Sequence, residues 1–393
     1  VPNLDKAELV FAILQHRFQQ NGLGWAEGVL EVLPDGFGFL RSVGQDFEPG
    51  PDDIYVSPSQ VRRLNLKPGH QLAGPVRPPR RGEKYFALLH VDAVNGGDVP
   101  TLRRRVPFAA RTPILPTERL RLDRPDAAIE LRAIDLLAPW GKGQRVLVTA
   151  PPGSGRTKLL LGIAESLRHN HEELHVILCL LDERPEELTG IRRAMRSQNG
   201  HAEVVATTFD QPPARHVAVA EMALQRAQRM VEAGLDVVLL FDSLTSYVRS
   251  WNIELPPTGK LICAGLDAGA LQRPKRLFGA ARNCEEGGSL TLVATAMHGD
   301  DSRIDAAILD EFHNRGNSEI VLDRELAELR LAPALDVLRT GTRREDMLMT
   351  EAEIEALQRL RQKLSPLDAR DRVVELVRLL ESADTNAELL RTL

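Results

Sequence analysis

The chain has 393 residues, of which 43% are hydrophobic and 27% charged, with a formal net charge of −5. This length allows two or three domains, the composition is ordinary for a globular protein, and no apolar run reaches the ~18 residues of a membrane span. The first residues show no charged-then-apolar signal pattern. Because Cys179, Cys263 and Cys284 lack metal-ligand spacing, we expect free thiols in a reducing compartment, a cytoplasmic location and no membrane partner.

The segment 5–20 is predicted to form a short amphipathic helix. Its apolar residues Leu9, Val10, Ile13 and Leu14 fall on one helical stripe, and Asn21-Gly22 is a typical helix end. We therefore assign residues 1–24 to an N-terminal helical segment that is too short to be a domain.

Residues 25–95 are predicted to form a small β domain. Five short apolar runs, at 28–31, 38–43, 53–56, 70–75 and 85–91, are separated by turns that contain Pro or Gly. About five short strands within ~70 residues are typical of a small barrel of the OB-fold or cold-shock type.

The stretch GFGF at 36–39 places two aromatic rings on one face of the second predicted strand, since side chains alternate with a period of two. If Phe37 and Phe39 point outward, nucleic-acid bases can stack on them; if they point inward they belong to the core, which is the commoner fate of such a pattern. The surrounding charge favours the outward alternative. Residues 60–111 contain eleven Lys or Arg against three acidic residues, as expected of a polyanion site.

Residues 96–125 are predicted to be a linker, because they combine Gly96-Gly97, several prolines and the run Arg103–Arg105. From residue 126 onward, apolar strand patterns alternate with helical ones. This alternation predicts a mostly parallel α/β sheet, and we assign 126–393 to one domain.

The stretch APPGSGRT, Ala150–Thr157, follows a predicted strand at 144–149 and opens a predicted helix at 157–168. A strand, a Gly-rich turn and a helix N-terminus form the context in which phosphates bind. Against the usual pattern GxxxxGK[ST], only Gly155 and Thr157 match strictly, since Ala150 and Arg156 replace the first Gly and the Lys. Taken alone, the stretch fits a phosphate loop and an ordinary Pro/Gly turn equally well.

Two further predicted strands end in acidic residues: 175–181 is followed by Asp182-Glu183, and 235–241 by Asp242. Open α/β sheets bind ligands at the carboxyl ends of their strands, and a carboxylate after a buried strand suits a Mg²⁺ partner for nucleotide phosphates. A lone Asp at such a place is more often a helix N-cap. Three polar strand ends at corresponding positions favour a nucleotide site.

Longer motifs give the chain a resemblance to a known family. They are DGFGFLRS at 35–42, GPDDIYVSPSQ at 50–60, LDERPEE at 181–187, PKRLFGAARN at 274–283, EEGGSLT at 285–291 and GTRRE at 341–345. From about Leu9 to its C-terminal region, the chain resembles the bacterial transcription termination factor Rho family. The resemblance implies a RecA-like P-loop ATPase domain after the barrel, a homohexameric ring, and RNA-dependent ATPase and 5′→3′ RNA–DNA helicase activity that releases nascent RNA from RNA polymerase.

The resemblance also implies where RNA binds. The family's primary site, which prefers single-stranded, C-rich RNA, would comprise Phe37, Phe39, Arg41, Asp53, Glu83 and Tyr85. Lys260 lies in a loop similar to the family's Q-loop and Arg303 in one similar to its R-loop, both of which would grip RNA in the ring's central pore. RNA polymerase and Nus-type factors are implied as further partners.

ATP and Mg²⁺ are the implied cofactors. Thr157 and Asp242 would hold Mg²⁺, Glu183 would orient or activate the attacking water, and Arg184 would sense the γ-phosphate. Arg343 would act as an arginine finger in a neighbouring subunit's site, with Arg330 supporting it. The implied nucleotide-binding residues are Pro152, Gly153, Ser154, Gly155, Arg156, Thr157, Lys158, Asp182, Asp242 and Ala332.

Several positions depart from the family's pattern. Arg156 replaces the phosphate-loop Lys, and an arginine keeps the charge but is bulkier, planar and differently aimed. Gly153 replaces a second lysine, while Ala332 and Lys158 stand where an aromatic residue and a Met clamp the adenine. The pore loop reads KLICAG at 260–265, and Ser197–His201 resembles an insertion.

These departures leave two alternatives from different classes. The first is a working motor enzyme; the second is a divergent RNA-binding ring with weak or no ATPase that acts as a regulator. A third alternative is a relative of rotary ATPase subunits, against which the domain that contains GFGF argues.

Overall fold

A computed structural model describes residues 24–102, 104–124, 126–196, 201–263, 265–297 and 302–393. The predicted helix at 5–20 and most of the suggested insertion at 197–201 lie outside these ranges. The chain forms two compact units, one of Val1–Arg111 with Ala218–Leu235 and one of Thr112–Val217 with Asp236–Leu393. The division at Arg111 falls within the segment 96–125 that the sequence marks as a linker.

A closed five-stranded barrel forms the main part of the first unit. Strand β1 pairs with β2, β2 with β3, β3 with β5 and β5 with β4, and β4 returns to pair with β1. All these pairings are antiparallel except β3–β5. The strands and helices of this region are β1 Gly24–Val32, β2 Gly38–Arg41, β3 Ile54–Val56, helix α1 Pro58–Arg63, β4 Gln71–Arg77, β5 Phe86–Leu88, β6 Ala93–Val94, β7 Gly97–Asp98 and helix α2 Val99–Leu102. The predicted OB-like barrel is therefore confirmed.

The alternation along β2 decides which side chains enter the barrel. Leu40 is buried in the core with Leu30, Ile54 and Phe86. Phe37 and Phe39, which have the opposite parity, stay half-buried. The structure therefore places both rings on the outer face of the barrel.

A largely parallel sheet organises the second unit, in the order β13-β12-β14-β18-β11-β19, with β20 antiparallel at its edge. Its central strands are runs of buried apolar residues, as expected when helices cover both faces of a parallel sheet. The strands of the second unit are β8 Pro113–Ile114, β9 Arg119–Leu120, β10 Trp140–Gly141, β11 Arg145–Ala150, β12 His175–Glu183, β13 His201–Thr208, β14 Asp236–Asp242, β15 Leu261–Cys263, β16 Leu266–Asp267, β17 Arg282–Cys284, β18 Ser289–Met297, β19 Ser318–Val321 and β20 Gly341–Thr342. This is the predicted RecA-like α/β arrangement.

The helices that follow in chain order are α3 Ile129–Leu137, α4 Arg156–Asn170, α5 Pro185–Arg196, α6 Pro213–Glu232, α7 Leu244–Glu254, α8 Gln272–Phe278, α9 Arg303–Phe312, α10 Arg324–Glu328, α11 Glu351–Leu364, α12 Ala369–Glu381 and α13 Asn386–Thr392. Side-chain caps at Thr350, Asp368 and Thr385 start the last three of them. Asn386 then donates to the carbonyl of Arg132 at 2.8 Å, which ties α13 to α3. No helix among the described residues is long and apolar enough to cross a membrane.

The sheet order brings the polar strand ends together. Strands β12 and β14 are neighbours, and only β18 separates β14 from β11. Because these strands are parallel, Glu183, Asp242 and the loop after Ala150 lie at the same edge of the sheet.

The turn before β4 depends on a glycine. Gly69 has φ +88°, and a Cβ there would lie 2.4 Å from the backbone carbonyl carbon of Gln225, in the part of α6 that belongs to the first unit. Gly36 has a similar φ of +85°, but a Cβ there would meet nothing within 4 Å.

We therefore expect Gly69→Ala to lower the free energy of unfolding of the first unit by about 3 kcal/mol or more, because strain adds to a backbone clash. The matched variant Gly36→Ala should cost only about 1 kcal/mol, the cost of the left-handed conformation alone. Urea unfolding followed by the near-ultraviolet signal of the barrel aromatics measures both. Equal losses in the two variants would show that the approach of Gly69 to helix α6 does not matter.

Candidate nucleotide site and RNA-binding surface

The loop between β11 and α4 has the geometry of a phosphate-binding turn. Gly153 and Gly155 adopt φ +79° and +82°, and a Cβ at either place would meet nothing within 4 Å. Gly155 is the N-cap of a 15-residue helix that begins at Arg156. The first N–H groups of such a helix have no intrahelical partner and attract anions.

Two buried carboxylates face this loop. Asp242 ends β14 with no exposed surface, and Glu183 ends β12 with 6% exposure. The Nε atom of Arg156 lies 2.8 Å from Oδ1 and 2.9 Å from Oδ2 of Asp242. Thr295 donates its hydroxyl to Oδ1 of Asp242 at 2.7 Å, and Thr157 donates its hydroxyl to Glu183 Oε1 at 3.2 Å. The structure thus brings Arg156, Thr157, Glu183 and Asp242 into one cluster.

The electrostatics of the cluster favour proton uptake by Glu183. Burial raises the pKa of Glu183 above its ordinary value, and the negative charge of Asp242 raises it further. The positive charge of Arg156 and the hydrogen bond from Thr157 act in the opposite direction without cancelling the rise. A carboxylate of this kind is suited to accept a proton from water.

The donor atoms fit a magnesium nucleotide. Mg²⁺ prefers oxygen ligands, and the site offers the Thr157 hydroxyl and the Asp242 carboxylate beside a phosphate loop. Next to the loop lies a cavity of about 580 Å³, which we call the nucleotide cavity because its volume and position make it the candidate place for a nucleotide. Its lining includes Gly153–Gly155, Lys158, Glu165 and Arg330–Ala334. Lys158 and Ala332, the two departures expected at the adenine, therefore share one cavity with the phosphate loop.

The other predicted nucleotide residues lie on the surface around this cluster. Pro152 and Asp182 are exposed, and Ser154 donates its hydroxyl to the carbonyl of Pro151 at 2.7 Å. Arg184 is 70% exposed and lies 3.7 Å from the carboxylate of Glu187.

Arg343 lies apart from the cluster of its own chain. It is exposed, donates to Asn314 Oδ1 at 2.8 Å, and lines a separate cavity of about 370 Å³. None of the residues that line this cavity also lines the nucleotide cavity. Arg330 is also exposed, but unlike Arg343 it lines the nucleotide cavity of its own chain.

The two loops predicted to enter the pore meet each other. Lys260 is exposed and precedes β15, which pairs with β16 as a small hairpin. Arg303 is the first residue of α9, and its carbonyl lies 4.0 Å from Sγ of Cys263 in that hairpin. The hairpin also exposes Leu261 and Ile262 by 64% and 43%.

In the first unit, four aromatic rings form a cluster on the outer face of the barrel, which we call the aromatic cluster. Phe39 lies at its centre, with ring centroids 5.8 Å from Phe37, 6.1 Å from Tyr55 and 4.9 Å from Tyr85. All four rings are half-buried, so each keeps exposed surface on which a base can stack.

Charged residues support the aromatic cluster from behind and beside it. The guanidinium of Arg41 lies 5.0 Å from the Phe39 ring and pairs with Asp53 and Glu31. Arg41 and Asp53 are almost fully buried, so their role is to support the Phe39 ring. Burial raises the pKa of Asp53 above its ordinary value despite hydrogen bonds from Gly50 and Arg41.

The rim of the aromatic cluster carries an exposed ion pair. Glu83 accepts hydrogen bonds from both Nη atoms of Arg77, at 2.5 and 2.9 Å, which lowers the pKa of Glu83 to about 2. Lys84 lies 5.4 Å from the Tyr85 ring. Sequence reasoning missed Tyr55 and Lys84 as members of this surface. Tyr55 joins the cluster because the strand register sets it directly opposite Phe39, a pairing that the sequence pattern alone does not give.

Comparisons with known proteins assign the family. Residues 26–100 match the RNA-binding domain of Rho termination factor, and residues 130–341 match the nucleotide-binding domain of the ATP synthase alpha/beta family. Transcription termination factor Rho of Haemophilus influenzae is 47% identical over 99% of this chain and 92% of its own length. The protein of the same name from Chromobacterium violaceum is 50% identical over 93% and 87%.

The chain belongs to the transcription termination factor Rho family. The resemblance found from the sequence is thus confirmed, together with an RNA-binding domain and a nucleotide-binding ATPase domain. The match at 26–100 also decides against an ordinary rotary ATPase subunit.

Solved structures show a similar core. A prototypical ATPase from the type III secretion system of pathogenic bacteria has a TM-score of 0.56 and 26% identity over 65% of this chain and 70% of its own. The assembled ATPase EscN from enteropathogenic E. coli has a TM-score of 0.54 and 23% identity, over 68% and 62% of the two chains. These likenesses show that about two thirds of the chain shares the fold of these ATPases.

The raised pKa of Glu183 predicts a pH-dependent effect on stability. Because the charged form is disfavoured in the folded state, the wild type loses stability as pH rises through the pKa of the folded state. Glu183→Gln removes this loss. We expect it to raise the melting midpoint at pH 8 by roughly 2–4 °C, the shift that about 1 kcal/mol produces in a domain of this size.

The gain should shrink as the pH falls below the raised pKa of Glu183, because the wild-type carboxyl then takes up a proton, and differential scanning calorimetry between pH 8 and pH 4 measures it. Glu186→Gln, at the exposed start of α5, is the matched control and should change nothing. A gain of the same size at every pH would show that burial of charge is not its cause.

Proposed function

We propose that this protein is a working transcription termination motor, an RNA-dependent ATPase that assembles as a homohexameric ring and moves 5′→3′ along C-rich nascent RNA. The observation that carries the proposal is the cluster of Thr157, Glu183 and Asp242 beside a phosphate loop. Membership of the Rho family and the RNA-binding domain at 26–100 support it. RNA polymerase is the complex from which the RNA is released, with Nus-type factors as further partners, in the cytoplasm.

Within one subunit, each side chain of the cluster has a distinct task. Thr157 and Asp242 would hold Mg²⁺, which supplies positive charge to the phosphates during transfer. Glu183 orients the attacking water and accepts its proton, for which a raised pKa is favourable. Arg184, which follows β12 and is 70% exposed, would contact the γ-phosphate.

The position of Arg343 supports action on a neighbouring subunit. It is exposed and lies in a cavity that shares no lining residue with the nucleotide cavity of its own chain. An arginine that completes another subunit's site makes hydrolysis depend on the ring. Arg330 lines the nucleotide cavity of its own chain, so we propose that it supports the arginine finger that the neighbouring subunit supplies there.

RNA would be held at two places. The aromatic cluster stacks bases of the incoming strand, and Arg41 with Asp53 holds the central ring. Lys260 and Arg303, which lie on adjoining loops, contact the strand in the pore. ATP hydrolysis between subunits then moves these loops and pulls the RNA.

A second candidate, a regulatory RNA-binding ring with weak or no ATPase, is favoured by two observations. Arg156 stands in place of the phosphate-loop Lys and is engaged with Asp242, the proposed metal ligand. Ala332 adds to it, because an alanine offers the adenine no stacking surface in the nucleotide cavity.

RNA binding through the aromatic cluster predicts a large effect of removing its rings. Since each stacked base contributes ~1–3 kcal/mol, Phe37→Ala combined with Phe39→Ala should weaken binding of a cytosine-rich oligonucleotide by about 30-fold or more. Fluorescence anisotropy measures the affinity, and circular dichroism checks the fold. Trp25→Ala, an exposed aromatic of the same barrel outside the cluster, is the control. Unchanged affinity in the double variant would show that Phe37 and Phe39 do not bind RNA and have only a structural role.

Action of Arg343 between subunits predicts complementation. Arg343→Ala should lower ATP hydrolysis by about 10³-fold while nucleotide binding and ring assembly persist. Glu183→Gln should be similarly inactive. Rings mixed from the two variants should regain turnover, because an intact Glu183 on one subunit then faces an intact Arg343 on the next.

Arg344→Ala is the control for this experiment, since Arg344 is exposed and pairs with Asp346 of its own chain. Inactive mixed rings would show that Arg343 serves its own subunit. Normal turnover of Arg343→Ala would remove it from the reaction altogether.

A further inference from the structure

The guanidinium of Arg156 can donate hydrogen bonds from Nε and from its two Nη atoms, and only Nε is engaged within the part of the chain that the structure describes. Its Nε–H faces both carboxylate oxygens of Asp242. Among the described residues, the structure gives no hydrogen bond to its Nη atoms. A guanidinium has five N–H donors in a fixed plane, so four remain when Nε is engaged.

A lysine cannot bind a carboxylate with one nitrogen and a phosphate with others. Its ammonium is a single point charge, which moves as a whole between a carboxylate and a phosphate. The usual phosphate-loop pattern has Lys at this position. Arg156 can stay on Asp242 and still present paired donors to a phosphate, the geometry in which arginine binds phosphates best.

Because Asp242 and Glu183 are buried, a cation held next to them stabilises their negative charge. Asp242 has no exposed surface and Glu183 only 6%, so two negative charges lie almost out of water side by side. Without a metal ion, phosphates would meet this negative charge. A guanidinium on Asp242 already offsets this charge before a metal ion binds, whereas a metal ion offsets it only when bound.

We propose that Arg156 bridges Asp242 and the nucleotide phosphates, so that this site binds nucleoside di- and triphosphates in the absence of Mg²⁺. The inference rests on the nucleotide site of the proposed function and assigns Arg156 a role within it. Binding becomes largely independent of the metal, while hydrolysis still requires it. Arg156 thus acts as a binding and positioning residue that a lysine does not replace.

The test compares the affinity for a fluorescent ADP analogue in Mg²⁺ and in excess EDTA. Wild type should lose less than about tenfold on metal removal, whereas Arg156→Lys should lose at least about tenfold more than that, the loss expected when a charge-assisted hydrogen bond breaks. Arg249→Lys is the control, since Arg249 also pairs with a carboxylate, that of Asp305, elsewhere in the second unit, through Nε and one Nη atom. It should keep the wild-type response.

A second measurement serves if Arg156→Lys folds poorly. In EDTA, ADP should raise the melting midpoint of wild type and should leave that of Arg156→Gln unchanged. Equal dependence on Mg²⁺ in wild type and Arg156→Lys overturns the bridging role alone. Absence of ADP binding by wild type in either buffer overturns the nucleotide site, and with it the proposed function and this inference.

Discussion

The ion pair between Arg156 and Asp242 is the contact on which the proposed nucleotide site depends. A parallel sheet with the order β12-β14-β18-β11 sets two acidic strand ends next to a glycine loop, and both carboxylates are buried there. Buried carboxylates need a cation or a proton. Arg156 supplies the cation to Asp242, while Glu183 keeps a raised pKa, so the two acids are prepared for different tasks.

A buried ion pair also supports the surface of the barrel that we propose binds RNA. Alternation along β2 turns Leu40 inward and Phe39 outward, and the buried pair of Arg41 and Asp53 holds the outer ring from below. The stacking surface is therefore built on a rigid sheet and on an ion pair sheltered from solvent. Rigid aromatic surfaces bind bases without reading every edge, which suits a protein that follows a strand.

Much of this could be predicted from local patterns. Apolar runs and turn residues give the barrel, the α/β alternation gives the sheet, and strand ends point to Glu183 and Asp242. Contacts between distant segments could not be predicted. Tertiary packing determines the register that sets Tyr55 opposite Phe39. It also determines that Arg156 contacts Asp242. The grouping of Ala218–Leu235 with the barrel is likewise invisible in the sequence, since α6 is a continuous helix.

In the proposed motor, binding of RNA to the aromatic cluster drives ATP hydrolysis in the cluster around Asp242. The most direct measurement is the rate of ATP hydrolysis by the purified protein with and without a cytosine-rich RNA, alongside the affinity for that RNA. We expect turnover that rises strongly when the RNA is bound, which would show that an arginine serves in place of the phosphate-loop lysine. Tight RNA binding without turnover would contradict the motor and leave the regulatory ring as the function of this protein.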